Sequence, residues 1–167
     1  MYINIFKLHK NLFLDLKSPK GRGDISKVKL YNNKINLIDE SYNSNPLSLE
    51  TAIQNFDKIK NQINSKHLIL GDMLELGKYS KKLHQDIGSK IKNTSIDKVH
   101  VIGKDILFTY YKIPKSKRGL ILKNKIDIFN LIKNDLNNND YLMIKGSNST
   151  GLNQITNEIK RMSTNVI

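Results

Sequence analysis

The chain of 167 residues contains no cysteine, which excludes disulfides, thiolate metal sites and a cysteine nucleophile. It has no apolar run near the length needed to cross a bilayer. Its first nine residues lack the charged start, long apolar core and small-residue cleavage site of a signal peptide, so a cytoplasmic protein is expected. Aromatic residues make up only 7% of the chain and do not alternate with the basic ones, so there is no stacking platform of the kind that holds single-stranded nucleic acid. Acidic residues are also scarce: 15 against 28 lysines and arginines, a formal net charge of +13. Such an excess can mark a nucleic-acid or acidic-membrane partner. Here the lysines are spread along the chain, with only short clusters such as Lys112 to Arg118. The heavy use of Lys, Asn and Ile points to a compositional bias over the whole chain and a diffuse solvated surface, one that still favours a substrate carrying phosphates or carboxylates.

What the chain does have is an alternation of strand and helix signals from residue 25 onward, at a length that suits one domain. Ile25 to Leu30 and Lys34 to Ile38 flank Tyr31-Asn32-Asn33, which reads as a hairpin turn because Asn tolerates a positive φ. After Pro46, apolar residues at Leu49, Ala52, Ile53, Phe56, Ile59 and Ile63 recur at helical spacing. His67 to Leu70 is a short strand ending at Gly71, and Leu76, Leu83, Ile87 and Ile91 mark a helix starting near Tyr79 or Ser80. Val99 to Ile102 and Gly119 to Leu122 are further strands, with a short helix around Phe108 to Tyr111 between them. Asn124 caps a helix with an inner face of Ile126, Phe129, Ile132 and Leu136. Tyr141 to Ile144 is the last strand, and Leu152, Ile155, Ile159 and Met162 line the last helix. This order predicts an α/β fold, a Rossmann-like three-layer sandwich around a mostly parallel sheet, with an antiparallel edge strand from the opening hairpin.

In such a sheet the loops after the strands share one edge, where ligands bind. Three polar stretches fall there: Asp39 to Asn45, Gly71 to Gly77, and Lys145 to Gly151. The first is dense in donors and acceptors and ends at Pro46, whose fixed φ suits the first position of a helix. The second superficially resembles a phosphate-binding P-loop, but its glycines stand one residue too far apart, and Tyr79 replaces the hydroxyl residue that would hold magnesium. Asp72 and Glu75 can order that loop or touch a substrate amine. The third leads into a helix N-terminus, which favours an anion. No catalytic or metal-binding constellation is visible. His9, His67, His84 and His100 are scattered without the i, i+4 partner of a metal pair; His67 and His100 read as packed or edge residues, and His84 as a surface one. No G-x-S-x-G elbow exists for a hydrolase.

Taken together, the three stretches resemble the C-terminal domain of the Mur ligases. The family pattern D-D-S-Y-N-A-N-P, then G-D-M-x-E-L-G, then K-G-S, is matched by Asp39 to Pro46, Gly71 to Gly77 and Lys145 to Ser147, and Gly21-Arg22-Gly23 resembles the G-R element that precedes the domain. The pattern looks like that of the branch that joins D-alanyl-D-alanine to UDP-N-acetylmuramoyl-tripeptide in peptidoglycan synthesis, and so serves cell-wall biogenesis, cell shape and division. The resemblance implies an amide ligation that uses ATP and Mg2+: ATP phosphorylates the tripeptide carboxylate, and the dipeptide amine attacks the acyl phosphate. It implies a C-terminal domain that closes over ATP and positions the dipeptide. Carried over by position, Arg22 contacts the ATP phosphates from a hinge, and Glu40 stands where the family usually has an Asp that helps to hold the nucleoside. Tyr42, Asn43 and Asn45 line the same ATP-facing loop, and Asn45 also suits a helix cap. Asp72, Glu75, Lys145 and Ser147 lie on the substrate side, and Asn148 stands where many relatives carry Arg.

The family's central domain, with its P-loop, its magnesium-binding Glu and His and its modified Lys, has no counterpart in the sequence. Residues 1–24 resemble only the tail of that domain plus a linker, and residues 25–167 are the expected C-terminal domain. The chain is therefore expected to be a fragment, half of a split ligase or a remnant, inactive without a partner carrying the UDP-sugar-binding and ATPase parts. The competing reading is a freestanding Rossmann-like module that holds nucleotide or RNA, supported by net charge alone.

Overall fold

The computed structural model describes residues 21–60 and 63–164; most of the expected tail-and-linker segment, residues 1–20, lies outside them. Strands β1 (Asp24–Leu30) and β2 (Asn33–Glu40) open the fold, followed by α1 (Pro46–Lys58), β3 (Lys66–Gly71), α2 (Ser80–Ile91) and β4 (Lys98–Ile102). Then come α3 (Leu107–Lys112), β5 (Arg118–Leu122), α4 (Lys125–Asn134), β6 (Tyr141–Lys145) and α5 (Leu152–Thr164). The six strands form one sheet in the order β1-β2-β6-β3-β4-β5. Only the β1–β2 pair is antiparallel, in the register Asp24 opposite Asp39; every other pair is parallel. The expected architecture is the observed one.

Alternation along the inner strands sorts the core into two layers. Leu68, Leu70, Val99, Val101 and Met143 pack on one face against α1, α2 and α3 through residues such as Phe56, Ile87 and Ile113. Ile69, Leu142, Ile144 and Leu37 face the other way, against Ile128, Leu131 and Ile132 of α4 and Leu152 and Ile159 of α5. Strands buried on both faces need this continuous apolar character. The steps β2 to β3, β3 to β4 and β4 to β5 run in one direction across the sheet with helices on one face. The step β5 to β6 runs back with α4 on the other face, as a single crossover hand requires.

Several local expectations need correction. In the hairpin, Tyr31 rather than an Asn takes the left-handed backbone, with φ 54°. Asn33 already belongs to β2, and its side-chain amide donates to the Leu136 carbonyl at 2.7 Å, tying the hairpin to the end of α4. Helix α1 stops at Lys58, so Ile63 does not extend its stripe and is 93% exposed. Ile126 lies in the first turn of α4 and points out, leaving Ile128, Leu131 and Ile132 as its buried side. Met162 is likewise exposed on α5. Among the described residues no helix is long and apolar enough to cross a membrane.

Candidate functional site

The topology fixes where a site can form. Strand β6 lies between β2 and β3; the chain leaves β2 and β3 toward one face of the sheet and leaves β6 toward the other. The sheet therefore has a switch point on each side of β6, and a crevice opens outside the carboxyl ends of strands at such points. Two clefts lie there. The first, of about 470 Å³, is lined by Gly21, Arg22, Glu40, Tyr42, Asn43, Asn45, Lys145 and residues of the first turns of α1. The second, of about 390 Å³, is lined by Tyr42, Asn43, Leu74, Glu75, Ser147, Asn148 and Ser149. Tyr42 and Asn43 are the wall between them.

All five residues that the resemblance assigns to ATP line the first cleft. The glycines at 21 and 23, with φ of 80° and 86°, let the chain enter the domain against the β2 loop. The Gly21 carbonyl accepts the Tyr42 amide at 3.2 Å, and the Gly23 amide donates to the Asp39 carbonyl at 2.9 Å. A Cβ on Gly21 would stand 3.1 Å from the Tyr42 backbone and Cβ, so the approach needs glycine. This holds the Arg22 guanidinium 4.7 Å from the centre of the Tyr42 ring, a cation–π contact in open solvent. Asn45 caps α1, accepting the Ser48 amide at 2.8 Å while Ser48 Oγ takes the Asn45 amide at 3.1 Å, the reciprocal capping box.

Glu40 and Lys145 form the charged floor of this cleft, with Nζ 3.6 Å from Oε2. Burial pushes the Glu40 carboxyl up and the Lys145 ammonium down from their ordinary values, and in each case this outweighs the partner's opposing charge. Lys145 also donates to the Asn43 carbonyl at 2.9 Å. It thus opens on the first cleft rather than beside the substrate-side residues with which the resemblance groups it.

Of the other substrate-side residues, Glu75 and Ser147 line the second cleft. Glu75 has a left-handed backbone, φ 63°, which a non-glycine residue adopts at about 1–2 kcal/mol. Ser147 clamps two loops: its Oγ donates to the Ser44 carbonyl at 3.2 Å and accepts the Leu74 amide at 3.0 Å. Asp72 lines neither cleft. Its carboxylate accepts the backbone amides of Lys104 at 3.1 Å and Ile106 at 2.8 Å, and its carbonyl accepts the Ser147 amide at 3.1 Å. Asn148 Oδ1 takes an N–H from Asn153 at 2.6 Å within the same turn.

Two supports of the site were not anticipated. His84, read as a surface residue, is fully buried. Its Nε2 accepts the Met73 amide at 3.2 Å while Nδ1–H donates to the Ser80 carbonyl at 2.8 Å, which fixes its tautomer and holds the loop after β3. Its place one step off the apolar stripe was the available signal. Asp39 is buried as well, accepting from the Ser41 amide and hydroxyl at 3.1 and 2.6 Å and from Lys160 of α5 at 2.7 Å. Burial raises its pKa, but the hydrogen bonds from Lys160 and Ser41 outweigh that, so the carboxyl is held below its ordinary value. Among the described residues no three His, Asp or Glu side chains come together as a metal site.

The chain is similar to known proteins in sequence and in fold. The family model described as Mur ligase, glutamate ligase domain, matches residues 22–148. A UDP-N-acetylmuramoyl-tripeptide–D-alanyl-D-alanine ligase of Buchnera aphidicola is 31% identical over 150 residues, covering 89% of this chain and 31% of that protein. The enzyme of the same name from Rickettsia prowazekii is 28% identical over 141 residues, 84% of this chain and 30% of that one. In structure the chain is similar to the MurF ligase of Thermotoga maritima solved with ADP, with a TM-score of 0.71 at 20% identity, over 90% of this chain and 33% of that chain. The chain thus spans less than a third of the length of these curated relatives.

Proposed function

The chain belongs to the Mur ligase family, as its C-terminal domain, and on that premise we propose that it closes over ATP and positions the dipeptide in the ligation of D-alanyl-D-alanine to UDP-N-acetylmuramoyl-tripeptide. The observation that carries this reading is the convergence of Arg22, Glu40, Tyr42, Asn43 and Asn45 on one cleft at the switch point. Arg22 is an exposed cation at the mouth of that cleft, suited to a phosphate charge, and Glu40 offers an acceptor to ribose hydroxyls. The second cleft, with Glu75 and Ser147, takes the dipeptide.

In the reaction a carboxylate oxygen of the tripeptide attacks the γ-phosphorus of ATP, releasing ADP and forming an acyl phosphate. The dipeptide amine then attacks the acyl carbon, phosphate leaves with the bonding electrons, and the amine loses a proton. This domain holds reactants close and excludes water, where orientation and closure lower the barrier. The magnesium ion is assigned to the other domains, where the family resemblance puts its Glu and His ligands. The partner is a chain or domain carrying the UDP-sugar and ATPase parts, and the site of action is the cytoplasm.

Phosphate release from ATP, with UDP-N-acetylmuramoyl-tripeptide and D-alanyl-D-alanine present, tests the proposal on this chain alone and mixed with a separate chain bearing the two other domains. Silence alone and turnover in the mixture is the expected result. Turnover by the chain alone, or silence of a mixture whose partner is folded, would overturn it.

A further inference from the structure

The end of β6 grips the wall between the two clefts from beneath. Lys145 donates to the Asn43 carbonyl at 2.9 Å, and two residues on, Ser147 donates to the Ser44 carbonyl at 3.2 Å. Consecutive carbonyls of the β2 loop are thus held by alternate side chains of one extended segment, which point the same way because a strand repeats every two residues. The Lys145 side chain is 2% exposed and reaches Glu40 at 3.6 Å on the first cleft. Asn43, which it holds, faces both clefts. An ammonium with so little exposure and with protein partners already in place is poorly sited to bind a substrate. It is well sited to hold a backbone.

We propose that Lys145 is a positioning residue: by tying the Asn43 backbone to Glu40 it sets the shared wall of the two clefts, and so governs the fit of both ATP and the dipeptide. This rests on the proposed ligase reading, and it assigns Lys145 a task different from that of a group touching substrate. A direct ligand would affect one substrate. A residue that sets a shared wall affects two.

The test is the steady-state kinetics of the mixed ligase with Lys145→Met. The expected result is a rise of about tenfold in KM for both ATP and D-alanyl-D-alanine, with KM for UDP-N-acetylmuramoyl-tripeptide unchanged, since the other domains hold it. A purely structural lysine would lower only the amount of active enzyme, so apparent kcat would fall with every KM intact; that result would overturn the proposal. A rise in one KM alone would overturn it too, by making Lys145 a ligand. If Lys145→Met does not fold, Lys145→Gln, which keeps an N–H for the Asn43 carbonyl, is read the same way with smaller rises in both KM values.

Hydrogen exchange on this chain alone separates failure of this inference from failure of the ligase reading. In the variant, the amides of residues 42–45 should exchange at least about tenfold faster while those of β3 stay protected. Unchanged exchange in that loop would overturn the positioning role, whatever the activity of the mixture.

Discussion

The Arg22 guanidinium lies 4.7 Å from the centre of the Tyr42 ring, across the mouth of the first cleft, and this contact joins the segment entering the domain to the loop that carries the family signature. An exposed cation–π pair contributes only about 0.5–1 kcal/mol, so its value to the fold is small and its value to a ligand can be large. Arg22→Ala should therefore raise KM for ATP in the mixed ligase by about tenfold and move the urea midpoint of the isolated chain hardly at all. A large loss of stability with unchanged KM would show the arginine to be a structural strut.

Asp72 yields the opposite expectation. Its carboxylate is occupied by the Lys104 and Ile106 amides, so Asp72→Ala leaves two N–H groups without their acceptor. Stability should drop by about 1–3 kcal/mol in urea unfolding, while KM for the dipeptide stays as in the parent chain. Gly103 sharpens the point, because a Cβ there would stand 2.4 Å from the Asp72 carboxylate. Gly103→Ala should reproduce the loss of stability.

Acid should unfold the protein through a buried histidine pair. His67 Nδ1 and His100 Nε2 lie 3.2 Å apart, and His100 Nδ1 accepts the Leu120 amide at 3.0 Å, so the shared proton comes from His100 Nε2. Burial lowers both, with the neighbouring His67 and Lys98 adding to the effect at His100, which falls to about 3. Unfolded histidine titrates near 6.5, so below that pH the unfolded chain binds protons that the folded chain refuses. Stability is full above about 6.5 and is lost as pH falls below it, at up to about 1.4 kcal/mol per pH unit for each histidine, and for His100 down to about 3. Glu40, pushed up by burial, titrates in the opposite sense, so the comparison is made against a His67→Gln, His100→Asn double variant. Urea unfolding between pH 4 and 7 should show a shallower slope in the variant; equal slopes would remove the pair from the account.

Lys160 should matter to α5 more than its position on a helix surface suggests. It is the only lysine on Asp39, at 2.7 Å among the described residues, and also lies 3.8 Å from Asp24. Lys160→Met leaves a buried carboxylate without its counter-charge, and a loss of about 1–3 kcal/mol is expected, seen first as faster hydrogen exchange in α5 and β1. A loss below about 0.5 kcal/mol would show that the Ser41 hydrogen bonds alone suffice.

The sheet and both core layers were legible in the sequence because period and punctuation agreed: Leu68 and Leu70 against Ile69 is an alternation that only a doubly covered strand needs. The edge that carries the first cleft was legible from the strand order, and the grouping of Arg22 with Glu40, Tyr42, Asn43 and Asn45 only through a family signature. Three errors had a common origin. Ile63, Ile126 and Met162 continue a helical period that the backbone or the available core does not, and periodicity carries no record of where a neighbour ends. His84 failed in the reverse way. Its one local signal, a place one step off the apolar stripe, does not reveal that its partners are the Met73 amide, eleven residues back, and the Ser80 carbonyl. That Lys145 and Ser147 line different clefts was also invisible, because it depends on which side of β6 each cleft opens.

The entry of the chain at Gly21 to Gly23, bonded to Tyr42 and Asp39, has a mechanical corollary. A rigid body turning about that point displaces each atom in proportion to its distance from the axis. Strand β5 lies four places from β2 in the sheet, about 19 Å at the usual spacing, and would sweep a wide arc. Arg22 and Tyr42, beside the pivot, would scarcely travel. On the proposed reading the ATP cleft would be the fulcrum of such a swing and the remote edge the lever's tip, so a wide arc at β5 would leave Arg22 almost still.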